Sequence, residues 1–132
     1  FKPLPALAYF HIPLPEYKTA FDDDKNTRFG VRLEDECPSE LNSGMFLAMK
    51  EMKDVMGTFV GHDHVNDYIV NYYDIALAYG HFSGWTSTYT PKPVINGVRV
   101  VTLKEDKREF DTWLHLLDGT IKYKVSYPTD FE

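Results

Sequence analysis

Asp54-Val55-Met56-Gly57-Thr58-Phe59-Val60-Gly61-His62-Asp63-His64 opens as a nearly continuous apolar segment and closes on two histidines flanking an aspartate. A short apolar run with β-branched and aromatic residues, ended by a glycine, reads as a strand over Asp54–Val60 buried on both faces, as in a parallel sheet. A matching segment lies upstream: Ala6–Ile12 (Ala-Leu-Ala-Tyr-Phe-His-Ile), bounded by Pro5 and Pro13, also carries a histidine, His11, near its end. Pro13 and Pro15 force the chain out of that strand, and Glu16–Phe21 is expected to form a short helix. Asp22–Ser39, with its Asp22-Asp23-Asp24 triplet, lacks apolar periodicity and reads as a long solvated loop. Glu40–Lys53 is the strongest helix candidate, capped by Ser39, with Leu41, Met45, Leu47 or Ala48, and Met52 near helical spacing. The methionines at 45, 49, 52 and 56 read as core filling.

Downstream the pattern changes to short strands and turns. Tyr68–Tyr73 and Ile75–Tyr79 form an expected hairpin around Asp74, and Gly80–Gly97 is a loop rich in Gly, Ser, Thr, Pro and aromatics. Val98–Leu103, Phe110–Leu117 and Ile121–Tyr127 are expected strands, joined by the charged turn Lys104–Arg108 and by Asp118-Gly119, a strong hairpin signal. The order is a β-α-β unit followed by an antiparallel meander, an α/β class bordering on α+β. Residues 1–132 read as a single unit, of ordinary domain length.

Composition narrows the partners. A hydrophobic fraction of 43% with 15% aromatics supports a packed core and argues against disorder. Twenty acidic against fourteen basic residues, a net charge of -6, is not the basic footprint of a nucleic-acid-binding surface. Cys37 is the single cysteine, so the chain has no internal disulfide and no Cys-x-x-Cys site. No apolar run approaches the roughly 18 residues of a membrane-spanning helix. The start at Phe1, without Met, suggests a trimmed chain.

Open α/β sheets gather ligands at the carboxyl ends of parallel strands, so His11, His62 and His64 are expected to converge on one crevice. In extended backbone, positions i and i+2 face the same side about 6.6–6.8 Å apart, a spacing that suits imidazoles leaning toward different ions of a pair. Asp63 then points the other way, while Gly61 lets the backbone approach a ligand. His81 and His115 have no partner pattern.

Leu7-Ala-Tyr-Phe-His-Ile-Pro-Leu-Pro-Glu-Tyr17, then Asn42-Ser-Gly-Met-Phe46, then Phe59-Val-Gly-His-Asp-His-Val-Asn-Asp-Tyr68 resembles, in that order, the calcineurin-like metallophosphoesterases, nearest to the purple-acid-phosphatase-like phosphohydrolases. The resemblance implies a β-sandwich flanked by helices (α/β/β/α) and a two-metal hydrolase of phosphate esters. His11 and His62 would ligate one metal and His64 the other, the pair being divalent or trivalent Fe, Zn or Mn. A hydroxide bridging the metals would attack phosphorus in line while the ions neutralise the phosphoryl oxygens. His81 and Trp85, in the aromatic loop, would line the substrate mouth.

The family's remaining ligands belong to earlier blocks, and this chain has no Asp-x-His among its first residues, no Gly-Asp and no Gly-Asn-His. The resemblance therefore implies the C-terminal half of a catalytic domain, inactive alone, whose missing N-terminal half supplies the bridging carboxylate, the Asn ligand and the adjacent catalytic histidine. An edge left bare by that division favours dimerisation. Two other readings are a non-catalytic binding or structural module using the Gly80–Gly97 loop, and a single Zn²⁺ held by the three histidines.

Overall fold

The computed structural model describes residues 2–84, 89 and 94–132. Among these described residues, eight strands form two sheets. β1 (Ala6–Tyr9), β3 (Val55–Val60), β5 (Ile75–Tyr79), β4 (Ile69–Tyr72) and β2 (Arg28–Phe29) lie side by side in that spatial order. β6 (Gly97–Leu103), β7 (Phe110–Leu116) and β8 (Ile121–Tyr127) form the second sheet in sequential order. β1 and β5 both run parallel to β3, and β4 and β2 are antiparallel additions. The hairpin of β4 and β5 thus joins the first sheet, and only the last three strands form the second. The reason lies in composition: Ile75-Ala76-Leu77-Ala78-Tyr79 is buried throughout, which suits a central parallel strand. Tyr73 and Asp74, both at positive φ (48° and 61°), make the two-residue turn that closes the hairpin.

The two sheets pack face to face. Phe110 and Tyr127 stack at 5.1 Å, and Phe110 meets Phe59 edge-on at 5.8 Å. Small residues on the facing strands, Gly57, Ala76 and Ala78, permit this approach. A Cβ at Gly57 would lie 3.2 Å from both the Phe110 ring and Leu7. The opposite face of the five-stranded sheet is covered by α1 (Glu16–Asp22) and α2 (Met45–Met52). Tyr17, fully buried on α1, contacts the Thr58 hydroxyl at 2.7 Å and donates to the Ala78 carbonyl at 3.2 Å, pinning the helix across β3 and β5. Among the described residues the helices cover one face of the sandwich, so the layers are α/β/β; a second helical layer is not formed by them.

Three local expectations change. α2 begins at Met45, not Glu40, because Gly44 ahead of it takes a left-handed conformation (φ 75°) and Ser39 is left in an irregular turn. Its buried residues are Phe46 and Met49, whereas Leu41 and Met52 are 82% and 66% exposed. β1 is an edge strand, so Tyr9 is 66% exposed and the strand ends before Phe10. The loop over residues 22–39 is not solvated throughout. It contributes β2, and the Glu36 carboxylate is buried between Arg32 (2.7 Å) and the Tyr68 hydroxyl (2.6 Å).

Candidate functional site

His11 follows β1 and His62 follows β3, and the parallel pairing of these strands brings their ends together. His62 Nδ1 lies 3.3 Å from His11 Nε2, with the rings edge to face at 5.2 Å between centroids. Two backbone bonds hold the strand ends in register: Phe10 donates to the Phe59 carbonyl at 3.2 Å, and Gly61 donates to the His11 carbonyl at 3.0 Å. His62 itself is left-handed (φ 73°), a conformation unfavourable for a residue with a Cβ. His64 stands apart from this pair: its ring stacks on Tyr89 at 4.8 Å, and its backbone N–H donates to the Tyr89 hydroxyl. Among the described residues, no group of three or more His, Cys, Asp or Glu side chains is placed to hold one metal ion. The imidazole pair supplies donors that suit Zn or Fe, but the described residues bring no carboxylate into the same cluster.

The rest of the Gly61–Tyr68 segment faces inward and binds the 31–37 loop. The Asp63 carboxylate accepts the Tyr79 hydroxyl at 2.5 Å and the Cys37 N–H at 3.2 Å. Asn66 Oδ1 accepts the N–H groups of Leu33 and Glu34 (2.9 and 3.1 Å), and its amide donates to the Glu34 carbonyl. Asp67 Oδ1 accepts the Val31 N–H at 2.8 Å. The charge of Asp63 raises the Cys37 thiol above its usual pKa, and burial beside Asp63 raises the Tyr79 hydroxyl.

Arg99, half-buried on β6, ties the second sheet to this segment. Its Nε donates to the Tyr79 carbonyl and one terminal nitrogen to the Asp67 carbonyl, both at 2.6 Å. Burial pulls its pKa down to about 10, which leaves it charged at neutral pH. Asp63, Asn66, Asp67 and Arg99 were not singled out from sequence as contributors to the site. The legible signals were a cluster of short polar side chains after a buried strand, and one arginine inside the Val98–Val101 run.

A cleft of about 580 Å³ opens beside His11, lined by Tyr9, Phe59, Gly61, His81 and Val98 among others. His81 borders it, but its side chain is only 5% exposed, and its Nε2 contacts the Ile95 carbonyl at 2.6 Å. The imidazole thus lies between the cleft and the Ile95 backbone. Trp85 lies outside the described residues, and His115 is exposed on β7.

The site is thus a pair of histidines, each following one of two parallel strands of a two-sheet sandwich. Comparison with known proteins bears on the family. The chain is 39% identical over 109 residues to the probable inactive purple acid phosphatase 29 of Arabidopsis thaliana, covering 83% of this chain and 27% of that protein. It is 37% and 34% identical to the probable inactive purple acid phosphatases 14 and 28 of the same plant, again over 83% of its length and 26% of theirs. No family model and no solved structure matches. The chain belongs to the purple-acid-phosphatase-like branch of the calcineurin-like metallophosphoesterases and corresponds to their C-terminal region. It spans about a quarter of the length of these relatives.

Proposed function

We propose that this chain supplies the histidine side of a binuclear metal centre in a phosphate-ester hydrolase, with His11 and His62 on one ion and His64 on the other. The observation that carries the reading is the 3.3 Å approach of His62 Nδ1 to His11 Nε2. Two imidazole nitrogens at that distance, at the ends of parallel strands, are spaced as two ligands of one cation would be. When bound, Fe, Zn or Mn ions supply the Lewis acidity and charge neutralisation that phosphoester hydrolysis needs. This chain's own contribution is positional: β1 and β3 set the histidines, and the cleft beside His11 admits the ester. The remaining ligands would come from the N-terminal part of the parent domain, pairing along the free edge of β1.

Neutral imidazoles cannot offset the repulsion between two divalent ions. The isolated 132-residue chain is therefore expected to hold Zn²⁺ weakly and to leave p-nitrophenyl phosphate intact. In the parent protein His62→Ala and His64→Ala should each lower turnover by orders of magnitude; unchanged turnover in either variant defeats the assignment. The names of the relatives, probable inactive purple acid phosphatases, favour a second reading in which the parent is a non-catalytic module of the same architecture. A parent that retains metal yet turns over no phosphate ester would establish that alternative.

A further inference from the structure

Asp63 sits between the two histidines of the motif yet turns its carboxylate away from them into the fold, and we infer that it is the positioning residue that fixes His62 against His11. The inference rests on the metal-site reading only for its effect on metal affinity. Asp63 is 4% exposed, and its carboxylate joins two separate elements, the end of β5 through the Tyr79 hydroxyl (2.5 Å) and the 31–37 loop through the Cys37 N–H (3.2 Å). Tyr79 is a rigid partner, since its ring is wedged edge-on against Tyr17 (5.4 Å) and Tyr68 (5.0 Å). The Asp63 backbone also closes the turn, its N–H donating to the Gly61 carbonyl at 2.9 Å and its carbonyl accepting the Asn66 N–H at 3.3 Å.

The residue just before this anchor, His62, is held at φ 73°. A non-glycine residue stays in that region only where its surroundings over-determine it. On the preceding side Gly61 is tied to the His11 carbonyl, and on the following side the restraint comes from Asp63, which is buried and bonded to two separate elements. Without it, His62 relaxes toward ordinary backbone angles and its ring leaves His11.

The test uses this chain without metal and then with Zn²⁺. Asp63→Ala removes the anchor; Asp63→Asn keeps an acceptor for Cys37 and offers its amide to the Tyr79 oxygen; Tyr79→Phe keeps the ring and deletes the hydroxyl. Phe110→Leu, in the core between the two sheets, controls for general destabilisation. The readouts are proton contacts between the His11 and His62 rings by NMR, Zn²⁺ affinity by calorimetry, and the thermal midpoint. Asp63→Ala should lose the ring contact and bind Zn²⁺ about 10–100-fold more weakly, with Asp63→Asn and Phe110→Leu close to the parent sequence. If Asp63→Ala fails to fold, Tyr79→Phe should still weaken the ring contact. A ring contact that persists in every folded variant of Asp63 and Tyr79 overturns the inference. Failure of the unaltered chain to bind Zn²⁺ defeats the metal reading instead, and the metal-free NMR comparison still decides the role of Asp63.

Discussion

Asp67 is a buried carboxyl whose Oδ2 lies 3.7 Å from His81 Nδ1, while His81 Nε2 contacts the Ile95 carbonyl at 2.6 Å. Burial raises the Asp67 pKa, against the opposing pull of the Val31 N–H, His81 and Arg99. A carboxyl whose pKa is higher folded than unfolded binds more protons in the native state, so its contribution is fully present below the unfolded pKa and is lost as pH rises through the folded value. Asp67→Asn keeps the acceptor for Val31 and places an amide N–H toward His81. The stability of the unaltered chain relative to Asp67→Asn should therefore fall as pH rises from about 4 toward 7. Urea unfolding of both proteins across that range checks this, and a pH-independent difference between them would remove the argument.

At the scale of elements, α2 shows how apolar spacing can select the wrong helix face. Leu41, Met45 and Met52 recur at plausible intervals, but the left-handed Gly44 sets where the helix begins, and Phe46 and Met49 become the residues facing the sheet. Phe46 is 7% exposed and lies 5.2 Å from the Tyr72 ring, whereas Leu47 is 60% exposed. Phe46→Ala should cost about 3–5 kcal/mol, the range for an aromatic removed from a core. Leu47→Glu should stay within about 0.5 kcal/mol, the range for surface changes away from special features. Denaturant midpoints for the two variants measure this directly, and a larger loss for Leu47→Glu would reverse the assigned faces. The strands were more legible than the helix: β3 through β8 fall within a residue or two of their expected bounds, because alternation and turn signals act locally.

The whole molecule carries an open edge. Among the described residues β1 pairs with β3 on one side only, and Tyr9, stacked on Phe59 at 5.2 Å, stays 66% exposed beside it. An unpaired edge bearing an exposed aromatic is a template for another strand. In the proposed parent that strand comes from the preceding part of the domain; in the isolated chain a second copy is the available partner. Sedimentation of the 132-residue chain should show concentration-dependent association, and Tyr9→Lys should reduce it by placing a charge on the edge. A chain that sediments as a monomer at all concentrations would rule out pairing through this edge.

The amino-acid sequence by itself determined the strand and turn order, the β-α-β unit, the family through the Gly61–Tyr68 block, and the histidines to watch, because these depend on local periodicity and on which residues stand next to one another. Tertiary structure alone decided the division of the strands between two sheets, the edge position of β1, and the separation of His64, stacked on Tyr89, from the expected meeting of His11 with His62. It also decided that Asp63, Asn66 and Asp67 brace the 31–37 loop, and that Arg99 clamps the second sheet to that segment. A polar side chain between two histidines has the same identity whether it faces an ion or the core. Which it does depends on partners from β5 and a distant loop, and no short stretch of sequence contains them.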